Sequence, residues 1–276
     1  MKLPLPAWLQ NRRLRLVWRV EKPGAPHRHY LAGTAHFFPY SYARPLRRLL
    51  RRVQSVVFEG PLDETSMARI AAHGRQGDGT PRLPELLSPQ VIATINRRLA
   101  ESQAQDDLTL LLAPSLQPDY FSALADGARP WMAFFSICTA YLGWPYSVDM
   151  EAFQLAHRLG KDVYHLETME EQLAVLDGIP LERVLAQLND VDRWDEYRDQ
   201  FERHFLAGDI ERLVGMSGRF PTRVPMTISA RDRLMSARLL PLLEQAPTAA
   251  FVGMPHIPGV CAELQAAGYQ TTQEPF

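Results

Sequence analysis

The sequence predicts an α/β fold, a central mixed β-sheet flanked by helices, with a large helical insertion between two strands that each end in Gly-x-x-His. Three short apolar runs and the stretch between them carry this expectation. Tyr30-Leu31-Ala32-Gly33-Thr34-Ala35-His36 and Ala249-Ala250-Phe251-Val252-Gly253-Met254-Pro255-His256 are too short for typical helices, and each leads through glycine into histidine, as a buried strand emerging into a loop does. Val56-Val57-Phe58 closes in the same way on Glu59, while the composition from Pro61 to Phe220 turns helical. Glycine lets the backbone turn or approach a ligand closely. Three strand ends are therefore expected to bring His36, Glu59 and His256 together at one edge of the sheet.

Residues 14–20 alternate imperfectly and read as an antiparallel strand that turns at Pro23-Gly24 into the strand ending at His36. Residues 44–54 form an amphipathic helix with Leu46, Leu49, Leu50 and Val53 on one face and Arg44, Arg47, Arg48, Arg51 and Arg52 on the other. A solvated surface accounts for that basic face; an anion, RNA or an acidic partner is the alternative. Strand 55–59 follows. Within the helical stretch, Ser88-Pro89 sets a capping serine before a proline suited to the first turn. Thr168 and Glu171 make a capping-box pattern directly after a short strand, 162–166. That strand follows a helix, 149–158, with Gly160 between them as terminator. Residues 181–214 are charged amphipathic helices and 229–245 a final long one; after the second histidine strand a helix, 260–267, Gly268 and a strand, 269–272, close the chain. Pro255 restricts Met254 to extended conformations and withdraws one amide from the second motif. With no short-period repeat or low-complexity linker, residues 1–276 read as one domain with its helical insertion at about 61–220.

Composition bounds what this fold can do. With 276 residues, 46% of them hydrophobic, the chain can bury a sizeable core, and a formal net charge of −1 argues against a surface built for nucleic acid. Cys138 and Cys261 are too far apart for a Cys-x-x-Cys motif and make no disulfide framework, so a reduced compartment is the simpler reading. Arg12, Arg13, Arg15 and Arg19 break up the apolar core a signal peptide needs, and the longest apolar segment, Trp131 to Trp144, falls short of the roughly 20 residues that span a bilayer. A cytoplasmic location is expected. A Walker loop, Gly-x-Gly-x-x-Gly and Gly-x-Ser-x-Gly are all absent from the sequence, which speaks against nucleotide-driven and serine-hydrolase chemistry. The aromatic stretch Trp131, Phe134, Phe135, Tyr141 and Trp144 suits core or an apolar substrate wall.

Two neutral imidazoles and one carboxylate can hold a divalent first-row metal while leaving positions open for water and substrate. Residue type does not choose among zinc, manganese and cobalt, nor between ligand and general base for Glu59. Each residue also has a structural reading. A strand-end histidine is commonly hydrogen-bonded, Glu59 could cap a helix or pair with arginine, and Glu167 and Asp149 precede helix starts where a carboxylate is favourable. Arg231, on the last long helix, could orient Glu59 or bind a substrate carboxylate bidentately; as a surface residue, its loss would change stability by no more than about ±0.5 kcal/mol. His27 and His29 share a strand face without a third ligand.

The paired Gly-x-x-His motifs with a strand-end glutamate between them, Leu166-Glu167-Thr168-Met169-Glu170-Glu171-Gln172, Arg231-Asp232-Arg233, and His256-Ile257-Pro258-Gly259 followed by Gly268-Tyr269, in this order over residues 28–272, resemble the TraB/GumN/Tiki family. The resemblance implies a metal-dependent hydrolase, a peptidase of the Tiki type. His36, Glu59 and His256 would hold the divalent ion, with manganese or cobalt favoured and zinc possible, and Arg231 would join them in catalysis. Gly33, Gly253, Glu167 and Asp149 are the expected contacts to a peptide or small-molecule substrate. Esterase activity would need the same residues. The alternative is a non-catalytic protein that binds a peptide or small signal in the same cleft.

Overall fold

The computed structural model describes residues 12–75, 82–103 and 119–276. Val17–Glu21 (β1) and Arg28–Thr34 (β2) pair as an antiparallel hairpin, with Trp18 opposite Leu31 and Val20 opposite His29. Ser55–Phe58 (β3), Asp162–His165 (β4) and Thr248–Gly253 (β5) extend the sheet in parallel with β2, and Gln270–Gln273 (β6) pairs antiparallel with β1. The strand order is β4-β3-β5-β2-β1-β6, a mixed sheet within an α/β fold. Strands covered on both faces carry unbroken apolar runs. Accordingly Val56, Val57 and Phe58 on β3, and Ala249, Ala250, Phe251 and Val252 on β5, are all buried. The edge strands β4 and β6 are mostly polar and exposed.

Parallel neighbours need crossover connections, and here helices supply them. Ala43–Leu50 (α1) joins β2 to β3, burying Leu46, Leu49 and Leu50 while Arg44, Arg47, Arg48, Arg51 and Arg52 face outward. Between β3 and β4 lie Glu64–Arg75 (α2), Leu83–Leu86 (α3), Pro89–Gln103 (α4), Tyr120–Ala125 (α5), Pro130–Leu142 (α6) and Val148–Arg158 (α7). Between β4 and β5 lie Met169–Asp177 (α8), Leu181–Asn189 (α9), Trp194–Ala207 (α10), Ile210–Ser217 (α11) and Pro225–Gln245 (α12), and Ile257–Ala266 (α13) follows β5. The capping box forms as its spacing predicts: Thr168 N–H donates to Glu171 Oε2 at 2.8 Å, and Glu171 N–H to Thr168 Oγ1 at 3.2 Å.

Within the span 61–220, β4 joins the sheet where the sequence places a short strand, and α7 packs back against α1. Helices α3–α6 and α9 and the start of α10 build a second hydrophobic core around Leu83, Leu99, Phe121, Phe134, Leu188 and Trp194, beside the sheet core, to which Phe205 of α10 and Leu213 of α11 belong. One expectation needs correcting: Met254 is not extended, and Met254–His256 is a 3₁₀ turn running straight into α13, which begins three residues earlier than its periodicity suggests. Pro255 fits because the amide it lacks falls in the first turn, where no helical acceptor exists. The same reason lets Pro225 open α12 four residues ahead of Ser229. Among the described residues no helix is long and apolar enough to cross a membrane.

Candidate functional site

The parallel strands β2, β3, β4 and β5 all point their carboxyl ends to one edge, where open α/β sheets present their ligand crevices. His36 follows β2, Glu59 β3, Glu167 β4 and His256 β5. Topology alone therefore delivers the convergence expected from the three apolar runs, with β4 contributing a fourth residue.

Past β2, the loop is pinned by Phe38 N–H to the Tyr146 carbonyl (2.7 Å) and by Val148 N–H to the Ala35 carbonyl (3.0 Å). These bonds hold the start of α7 against His36. Ser147 caps α7 and its hydroxyl donates to Asp149, whose other oxygen lies 2.5 Å from Nδ1 of His36. Asp149 is buried, whereas the His36 ring is 67% exposed. The Asp149 carboxylate raises the His36 imidazole to about 9, although solvent at the ring limits what the pair adds to stability. Burial opposes ionisation of Asp149, but His36 and Ser147 outweigh it and its carboxyl is lowered.

His256 is held in the same way from the opposite side. Its Nδ1 lies 2.5 Å from Asp232 Oδ1, and its side chain is 2% exposed. This approach requires Gly259, since a Cβ there would sit 1.9 Å from Asp232 Oδ2. The neighbouring Arg231 faces inward: its Nε and Nη2 donate to both oxygens of Glu167 at 2.7 Å, Nη2 also donates to Glu59, and Nη1 lies 3.2 Å from Nε2 of His256. Glu59 additionally accepts the Gly253 N–H at 2.7 Å. Burial would raise the Glu59 carboxyl, but His256, Arg231, the Gly253 amide and His36 hold it well below the usual carboxylate range. Burial likewise works against the Arg231 charge, and the two glutamates more than offset it. In the neutral form of each ring, with the proton on Nδ1 toward its aspartate, Nε2 is left as an acceptor, which for His256 faces Arg231; the His36 ring, raised to about 9, reaches that form only as its second proton is lost.

A cleft of about 270 Å³ opens from His36, Gly253 and Met254 into the helices, walled mainly by aromatic side chains that include Phe135, Trp144, Trp194, Phe201 and Phe220. Cys138 also lines it, but burial pushes its thiol up to about 12 and so disfavours the thiolate. Arg223 reaches the cleft from the loop before α12, close enough to feel the charges of Glu59, Arg231 and Asp232.

The residues named from sequence thus meet at one edge, in roles that spacing did not specify. Asp149 positions His36, Glu167 is fully engaged by Arg231, and Gly253 contributes an amide to Glu59. Gly33 serves packing, as a Cβ there would press on Ile257 and Met254. Asp232 and Arg223 were not singled out. Asp232 is adjacent to Arg231, but helical neighbours point about 100° apart, and nothing in the sequence told that it faces His256. No pattern marks Arg223.

For a divalent metal, the donors fit in kind and charge. Each histidine has its Nδ1 held by a carboxylate, as metal-ligating histidines do. Glu59, Glu167, Asp149 and Asp232 against Arg231 and Arg223 also leave a formal surplus of two negative charges before either imidazole is counted. In the arrangement as it stands Arg231 lies between Glu59, Glu167 and His256, and among the described residues no three His, Cys, Asp or Glu side chains are grouped to enclose an ion. No curated protein and no solved structure matches the chain at a significant level. The TraB/PrgY/gumN family profile, however, matches residues 16–273, nearly the whole length over which the sheet, the two histidine motifs and their carboxylate partners are laid out, and the chain belongs to that family.

Proposed function

We propose that the protein is a hydrolase, most readily a metal-dependent peptidase, working at the carboxyl edge of the sheet on a peptide or small-molecule substrate. One observation carries the reading: two imidazoles, each held through Nδ1 by a carboxylate, flank Glu59, and one of them, His36, lines an apolar cleft. With both rings neutral, Asp149 and Asp232 would keep their protons on Nδ1, leaving each Nε2 to face the ion, and Glu59, as ligand or as general base, would act on the water that attacks the carbonyl. In that reaction the water oxygen bonds to the carbonyl carbon, the carbon–nitrogen or carbon–oxygen bond breaks, and the departing amine or alcohol leaves with the proton. Glu59, fixed by Gly253 and Arg231, is held as a carboxylate beside the reacting atoms. His36, Glu59 and His256 would hold a divalent ion (manganese, cobalt or zinc), which when bound supplies Lewis acidity and lowers the pKa of water from 15.7 toward about 7.

The test is to strip the protein with chelator, reload it separately with each metal, and assay peptides and simple esters with metal analysis on the same samples. Activity should return with at least one metal and vanish in His36→Ala, His256→Ala and Glu59→Gln, while circular dichroism stays native-like. Less than about one equivalent of ion, with both histidine variants retaining whatever activity exists, would sink the proposal. A non-catalytic peptide- or signal-binding role would then replace it, favoured by the way Arg231 already occupies the space between Glu59, Glu167 and His256.

A further inference from the structure

Three arginines line the apolar cleft, and two of them are paired. Arg198 bonds Asp195 and Asp199, and Arg219 bonds Asp190 and the Tyr197 hydroxyl. Arg223 is different. Its Nε is buried without a hydrogen-bond acceptor, and among the described residues no carboxylate lies within ion-pairing distance of its guanidinium. A buried donor left open costs about 1–3 kcal/mol, more for a charged group. Burial drags the Arg223 guanidinium down to about 10, with Arg231 adding to the effect while Glu59 and Asp232 oppose it. The guanidinium of arginine is a planar fork matched to carboxylate geometry. Beside it the cleft has about 270 Å³ of mostly aromatic surroundings, against roughly 150 Å³ for a cavity that takes one benzene. That space suits a bicyclic aromatic side chain, or a smaller aryl group together with its backbone.

We propose that the cleft binds the carboxy-terminal residue of an apolar peptide or N-acylated amino acid, with the aromatic walls receiving its side chain and Arg223 its free carboxylate. Calling this ligand a substrate rests on the hydrolase reading; its binding does not. A substrate so anchored would present the amide preceding its last residue to His36 and Glu59, making the protein selective for free carboxyl termini.

The test is titration calorimetry on the full chain with N-acetyl-2-naphthylalanine, its primary amide and N-acetylalanine, repeated on Arg223→Gln and Arg223→Lys. The naphthyl acid should bind at least tenfold more tightly than either the amide or the alanine compound. Arg223→Gln should bind acid and amide alike, and Arg223→Lys should retain part of the preference. Because Arg223 makes no ion pair among the described residues, Arg223→Gln should melt at or above the wild-type temperature, so lost binding cannot be put down to unfolding. Equal binding of acid and amide by the wild type, no binding of either, or a preference that survives Arg223→Gln would each overturn the proposal. Hydrolysis of acetyl-alanyl-naphthylalanine separates the two readings. Selective binding without turnover removes the hydrolase and keeps the carboxylate site, whereas turnover that ignores the free carboxylate keeps the hydrolase and removes the site.

Discussion

Substituting Arg231→Ala should unfold the protein far more readily than a surface substitution would. Read from sequence, a lone arginine on the last long helix could be removed at little cost, but its side chain is only 13% exposed and its partners Glu167 and Glu59 are 1% and 19% exposed. The alanine variant leaves two carboxylates facing each other in the space the guanidinium filled. Breaking a buried pair by removing one partner costs about 3–5 kcal/mol, because the charge left behind has no compensation. At this chain length each kcal/mol is worth about 2 °C, so the melting temperature should fall by roughly 6–10 °C. Thermal and urea denaturation of Arg231→Ala, together with the cycle Arg231→Met, Glu167→Met and the double variant Arg231→Met/Glu167→Met, would measure it. Since the neutral pair removes both charges together, the double variant should cost less than the two single losses added, by about 1–3 kcal/mol. A fall of less than about 1 °C in Arg231→Ala, or strict additivity in the cycle, would refute the view that these ion pairs hold the strand ends together.

Three further outcomes are expected. His29 is 1% exposed, accepts the Thr248 N–H, and is pushed down by burial and by His27 to about 4. The unfolded chain therefore binds a proton near pH 6.5 that the folded chain refuses until about pH 4, and stability should fall by at most about 3 kcal/mol on acidification through that window; urea titrations of wild type and His29→Gln would show this slope vanish in the variant. Asp232→Asn frees His256 to adopt the other tautomer and should lower turnover or metal affinity about 10- to 100-fold without unfolding the chain, which kinetics and imidazole NMR would check. Gly259→Ala places a methyl where Asp232 Oδ2 now lies, so it should perturb the His256 imidazole resonances as Asp232→Asn does and lower the melting temperature besides.

The sheet was legible because its signals are local. Runs such as Val56-Val57-Phe58 and Ala249 to Val252 show burial on both faces directly, and the convergence of His36, Glu59 and His256 follows once their strands are parallel. The Thr168–Glu171 cap was equally plain, being two hydrogen bonds within four residues. What escaped depends on contacts between distant segments. Asp149 and His36 lie 113 positions apart, and a carboxylate in the first turn of a helix already has a sufficient local reason to be there. Glu167 was masked in the same way, as a residue next to a helix start whose real partner is Arg231, 64 positions on. Proline misled in the other direction. Taken alone, Pro255 argues for an extended Met254, but packing of the turn against β2, where Gly33 leaves room, overrides that preference.

Arg231 and Arg223 enter one site with opposite energetics, and the contrast bears on what the site is for. A sheet edge that needed only to be closed could be filled with apolar side chains, since replacing a buried ion pair by well-packed hydrophobic residues is often neutral or stabilising by about 1–4 kcal/mol. Arg231 can be understood within the chain alone, because its donors are matched by Glu167, Glu59 and His256. Arg223 cannot: its Nε finds no acceptor among the described residues, and its setting beside an apolar cleft lowers its affinity for its own proton. Local rules are broken in folded proteins chiefly where function compensates, and the compensation that fits a cationic fork lining an aromatic cleft is an oxygen anion brought by a ligand. On this argument Arg223→Gln should stabilise the empty protein and weaken the loaded one, a reversal of sign that a residue present only for packing would not show.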